Sequence, residues 1–120
     1  VDSIIRFNPA LLGQHFDDHG AEFGAADEEE YERRAIEFLI SPLNGIPVRC
    51  NACQNCNCQA YGTVHQCRNG DDIIRFDTYT NTIAVMDVGR YIRTYHRLTH
   101  GYRGRQKAPI KVYHDRCEIK

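Results

Sequence analysis

The sequence predicts an α+β domain in which N-terminal helices pack against an antiparallel sheet of about four to five strands, with a cysteine-rich insert between them. Two patterns carry that reading. Over about residues 8–40, apolar side chains recur at helical spacing between recognisable caps. From Asp72 onward they fall instead in short β-branched and aromatic runs broken by turn residues. A chain of 120 residues has room for one core, so a single domain is expected over 1–120, with helices about 8–40, the insert about 48–68 and the sheet about 72–118.

Asn8-Pro9 opens the first helix: Asn8 is the N-cap, and Pro9 stands at the first helical position, where its missing N–H costs nothing. The helix is expected to reach His19 and stop at Gly20, burying Leu11, Leu12 and Phe16, with His15 and His19 at the margin of that face. In the second helix Asp27 caps, Glu30 completes a capping box, and the acidic first turn suits the positive end of the helix dipole. Tyr31, Ala35, Phe38 and Leu39 form its apolar stripe, which ends before Pro42.

Strands are expected at Ile73–Asp77, Thr82–Val88, Tyr91–Leu98 and Ile110–His114. Turns at Thr80-Asn81 and Gly89-Arg90 make the first three a meander. The glycine-bearing stretch from Thr99 to Ala108 reads as a loop carrying His100, Arg103, Arg105 and Lys107, suited to a phosphate backbone or to solvent. Asp2-Ser3-Ile4-Ile5-Arg6-Phe7-Asn8 echoes Asp71-Asp72-Ile73-Ile74-Arg75-Phe76-Asp77, so Ile4–Phe7 is also expected to be extended, although seven residues do not make a repeat.

No apolar run approaches membrane-spanning length, and no signal peptide is visible. The start at Val1, without methionine, reads as a domain cut from a longer parent. The net charge of −1 hides a polarity. Residues 1–40 hold ten acids against Arg6, Arg33 and Arg34, a balance of −7, while residues 89–120 hold nine bases against Asp115 and Glu118, a balance of +7. The basic end is interleaved with Tyr91, Tyr95, Tyr102 and Tyr113, which suits a nucleic acid; the plainer reading is that the two ends attract each other in the fold.

Two clusters carry candidate chemistry. His15 and His19 share a helix face, so they can act on one object as proton-transfer groups or as metal ligands. The helical His-Glu-x-x-His pattern of zinc hydrolases is missing, because Phe16 occupies its second place. The cysteines run Cys50-x2-Cys53-x2-Cys56-x-Cys58, then Cys67, with Cys117 alone near the end. That spacing admits disulfides, with Cys117 tying the C-terminal strand back to the insert, or a structural zinc site; an iron–sulfur run fits less well. Either way the cluster reads as a staple for a polar segment with too little core of its own.

The order His15-Phe16-x-x-His19-Gly20-x-x-Phe23-Gly24, then Glu30-Tyr31-x-x-x-Ala35-x-x-Phe38-Leu39, resembles the N-terminal helical part of bacterial polymorphic and contact-dependent growth inhibition toxin nucleases. Arg75-Phe76-Asp77-x-x-Thr80-Asn81-x-Ile83 and Gly89-x-x-Ile92-x-Thr94-Tyr95 resemble the sheet of the same group, in the barnase, EndoU, colicin D and RelE-like RNase superfamily. Ile83 stands where an aromatic is common, and the cysteine insert lies outside the general pattern. The resemblance implies metal-independent cleavage of RNA, often tRNA, with no cofactor for catalysis. It implies delivery into a rival cell as part of a secreted or cell-surface protein, action in the target cytoplasm, a cognate immunity protein, and no membrane association of the domain itself.

RNA carries its own nucleophile in the 2′-hydroxyl, so cleavage needs a base, an acid and a cation for the developing phosphorane charge. His15 and His19 are candidates for base or acid, and Arg75 or Arg93 for the cation. The resemblance adds Thr94, and strand alternation then places His96 on the same face, with Arg93 and Tyr95 on the other. A zinc-stabilised module that binds nucleic acid or protein without catalysis is the alternative reading.

Overall fold

The computed structural model describes residues 5–49, 53, 55–89, 91–98 and 108–119. The expected loop cations His100, Arg103, Arg105 and Lys107, together with Cys50 and Arg90, lie outside them. Strand β1 (Arg6–Phe7) leads into α1 (Pro9–His19), a 3-10 turn (Gly20–Phe23) and α2 (Glu28–Ile40). Then come β2 (Val48–Arg49), β3 (Gln59–Tyr61), β4 (Val64–Asn69), β5 (Asp72–Asp77), β6 (Thr82–Asp87), β7 (Tyr91–Arg97) and α3 (Pro109–Cys117). The fold is α+β, with one seven-stranded sheet in the order β1-β7-β6-β5-β4-β3-β2. It is antiparallel except for β1, which pairs with β7 in parallel.

Both N-terminal helices begin where their caps place them. The Asn8 side chain accepts from Ala10 N–H, and the Asp27 carboxylate accepts from Glu30 N–H at 2.8 Å, while Glu30 reaches back to Ala26 N–H. Helix α1 ends at His19 with Gly20 as its C-cap, as expected; Gly20 keeps a right-handed backbone, and the chain continues in the 3-10 turn that Gly24, at φ 65°, ends. Leu11 is exposed rather than buried, so the inner side of α1 rests on Leu12 and Phe16.

The sheet separates two cores. On one face α1 and α2 pack Phe7, Tyr31, Ala35, Leu39, Ala84, Ile92 and Tyr95. On the other α3 closes over Ile74, Phe76, Ile83 and Val85 with Tyr113 and Cys117. A seven-strand sheet with α3 as a third layer corrects the expectation of four to five strands. The additional strands are the short β2 and the β3–β4 hairpin, the last built largely from the cysteine insert, while Arg6–Phe7 is extended as expected. Its polar run conceals the alternation, but Gly62 at φ 64° and Gly70 at φ 62° form the tight turns on either side of β4.

Ile110–His114 is helix, not strand. Ile110, Val112 and Tyr113 favour extended backbone, yet Pro109, Tyr113 and Cys117 recur every four residues and all are buried. Burial of that stripe on the sheet outweighs intrinsic preference. Cys117 is thereby bonded to Cys67 on β4, so the expected tie to the insert exists, made from a helix. A second disulfide joins Cys53 to Cys56.

Candidate functional site

The short β1 leaves one edge of the sheet open. It pairs with Tyr91 and Ile92, and among the described residues the remainder of β7 has no strand beyond it. The 3-10 turn after α1 fills that gap. Glu22 Oε1 accepts from the backbone N–H of Arg97 at 2.7 Å, and its Oε2 accepts from His19 Nδ1 at 2.8 Å. One carboxylate thus fixes the turn to the strand and the imidazole to the turn.

His19 lies against His96. Their ring centroids are 4.8 Å apart at 24°, a stacked pair formed by the end of α1 and the end of β7. His96 Nδ1 is 3.3 Å from the carbonyl of Arg97, which only accepts, so Nδ1 carries the proton in that contact. Glu22 imposes the same tautomer on His19 when that ring is neutral. Both Nε2 atoms are then left for an external proton, and neither makes a hydrogen bond among the described residues. Burial pushes the His96 pKa down, and the nearby charges of His19 and Arg116 act in the same direction, against the Arg97 carbonyl and Glu22. A neutral imidazole with an open Nε2 is chemically a base.

The other expected site residues lie elsewhere. His15 is half-buried one turn back, its ring centroid 5.2 Å from that of Phe7; burial is the main cause of its lowered pKa, followed by the charge of His19. Arg75 is buried. Its Nη1 donates to the carbonyls of Phe38 at 2.9 Å and Ser41 at 2.8 Å, and its Nε donates to Gln66 Oε1 at 2.9 Å, so it caps the C-terminal end of α2 instead of facing the histidines. Tyr95 is a core residue. Its ring stacks on Phe23 at 4.0 Å, its carbonyl accepts from the Tyr31 hydroxyl, and burial pushes its pKa up to about 12.

Simple alternation on β7 fails at a bulge. Val85 pairs with Thr94 but Met86 with Ile92, leaving Arg93 as the extra residue. Arg93 therefore turns toward the α3 side of the sheet, where its Nε lies 2.8 Å from Asp72 and its Nη2 3.6 Å from Asp87. Thr94, half-buried opposite Val85, shares the side of His96, as expected. Sequence reasoning missed Glu22, Arg97 and Arg116. For Glu22 a signal existed, an acid three residues after a histidine; for Arg116 nothing local pointed to it, because only the docking of α3 brings its charge near His96.

Compared with protein-family models, with curated proteins and with solved structures, the chain matches none.

Among the described residues no group of three or more histidine, cysteine or acidic side chains is arranged to hold a metal ion, and no helix is long and apolar enough to cross a membrane. Four of the six cysteines form the two disulfides, Cys53–Cys56 and Cys67–Cys117. What the edge of β7 can do is move protons. Two stacked imidazoles each keep an Nε2 that makes no hydrogen bond among the described residues, one ring held by a carboxylate and the other desolvated by burial, with the charge of an arginine near it.

Proposed function

We propose that this domain is an endoribonuclease that cleaves RNA, tRNA by preference, through metal-independent transesterification to a 2′,3′-cyclic phosphate. The stacked His19–His96 pair with Glu22 behind it is the observation that carries this reading. His96, which burial keeps neutral, takes the proton of the 2′-hydroxyl. His19, oriented by Glu22, gives a proton to the departing 5′ oxygen, and Arg116 offsets the charge that gathers on the phosphorus oxygens. In keeping with the resemblance in sequence, the domain would be the toxic part of a larger secreted or surface protein, act in the cytoplasm of a competing bacterium and be blocked by a cognate immunity protein.

The test is cleavage of total RNA in EDTA by the wild type, His19→Ala, His96→Ala and Glu22→Gln. Loss of either histidine should slow cleavage by about 10²- to 10⁴-fold, the range for one general acid or base. Glu22→Gln, which keeps the shape and loses the charge, should slow it less. Full activity in both histidine variants would end this mechanism.

A further inference from the structure

Away from the histidines, the sheet carries a second feature on the α2 side. Helix α2 covers β6 and β7, and beyond it the faces of β3, β4 and β5 form an open pocket of about 220 Å³ lined by Asn57, Gln59, Tyr61, Gln66, Arg68 and Ile73. Pairing explains the grouping. Gln59 lies opposite Gln66, Arg68 opposite Ile73 and Tyr61 opposite Val64, so these side chains share one face.

The hydrogen bonds already made there give the pocket a chemical sign. Arg75 only donates, so its bond to Gln66 fixes Oε1 toward Arg75 and leaves the Gln66 amide NH2 outward. The backbone N–H of Arg68 likewise takes Asn57 Oδ1, at 2.7 Å, and leaves the Asn57 NH2. Gln59 Oε1 accepts from the Tyr61 hydroxyl, and Arg68 uses Nε on the Gly70 carbonyl, which leaves its two terminal nitrogens. The side-chain amide oxygens are spent within the protein, while the N–H donors are not. None of the three amide NH2 groups donates within the described residues.

A pocket of this kind selects a group rich in acceptor oxygens. We propose that it is a nucleotide-binding subsite that holds the acceptor oxygens of one nucleotide, a pyrimidine carbonyl against Tyr61 and Ile73 or a phosphate against Arg68. The pocket's volume of about 220 Å³ suits a single ring or a phosphate. The choice of a nucleotide rests on the ribonuclease reading; the donor character does not.

Side-chain NH2 groups are visible in ¹H–¹⁵N correlation spectra, so the subsite can be read directly on the intact domain. Titration with uridine 5′-monophosphate should shift the side-chain resonances of Asn57, Gln59 and Gln66 while those of surface amides such as Asn44 stay in place. Parallel titrations with uridine and with inorganic phosphate separate the two sources, and a response to either supports the subsite. In Gln66→Glu the carboxylate still accepts from Arg75 but donates nothing, so the urea midpoint should hold while affinity falls at least tenfold. Absence of shifts at these amides with all three probes overturns the proposal, as does unchanged affinity in a folded Gln66→Glu protein. RNA cleavage is scored separately. Shifts without cleavage leave the subsite standing and remove the enzyme; cleavage without shifts does the reverse.

Discussion

Arg75→Met separates two roles for one arginine, because the sequence places Arg75 at a phosphate and the structure places it under the end of α2. The side chain is 6% exposed and donates three hydrogen bonds, two to carbonyls at the C-terminal end of α2 and one to Gln66. Hydrogen bonds to a charged group contribute about 1.5–3 kcal/mol each. The three do not add, because Ser41 is exposed and its carbonyl can turn to water, and because methionine spares the desolvation that already lowers the Arg75 pKa. A net loss of roughly 2–4 kcal/mol follows, against a total stability of about 5–15 kcal/mol for an ordinary domain. The variant should therefore remain mostly folded at 20 °C and melt roughly 10 °C lower. The assay is a urea titration followed by circular dichroism, alongside RNA cleavage per folded molecule at 20 °C. The expected result is a lower midpoint with nearly full cleavage. An unchanged midpoint with lost cleavage would refute the capping argument and return Arg75 to the chemistry.

Cys117→Ser removes a bridge that closes a separation of 50 residues; loop closure entropy puts its worth at about 4 kcal/mol, so the oxidised wild type should outlast the variant in urea by a wide margin, and dithiothreitol should erase the difference. His15, His65, His96 and His114 all have pKa values that burial pushes below 6.5. Such groups are held neutral in the fold, so the stability they allow is complete above pH 6.5 and is lost as pH falls through 6.5 toward their folded values; urea midpoints should drop between pH 7 and pH 5, and a flat profile would contradict it. Gly20→Ala would place a Cβ 2.5 Å from the Phe16 ring, at a cost of about 1–3 kcal/mol, measurable as a lower melting temperature.

The parts of the fold that were legible depend on neighbours along the chain. The caps at Asn8 and Asp27, the stripe of Tyr31, Ala35 and Leu39, and the three-strand meander from Asp72 to Arg97 are local in this sense. The β3–β4 hairpin was hidden because one of its faces is a polar pocket, which removes the alternation that marks a half-buried strand. The same blindness extends to the candidate site. His19 was singled out from its helix, but its partner His96 was reached only through strand parity, and parity failed one bulge earlier, at Arg93.

By itself the sequence determined that two capped helices precede a β-rich half, and that histidines and hydroxyl-bearing residues offer proton-transfer chemistry, because caps, periods and side-chain pKa values belong to residues and their near neighbours. The tertiary structure alone decided that Pro109–Cys117 is a helix, that Arg75 serves α2, and that His19 meets His96 across Glu22. Each of those outcomes rests on burial or hydrogen bonding between residues more than thirty positions apart, and no local pattern records such a contact.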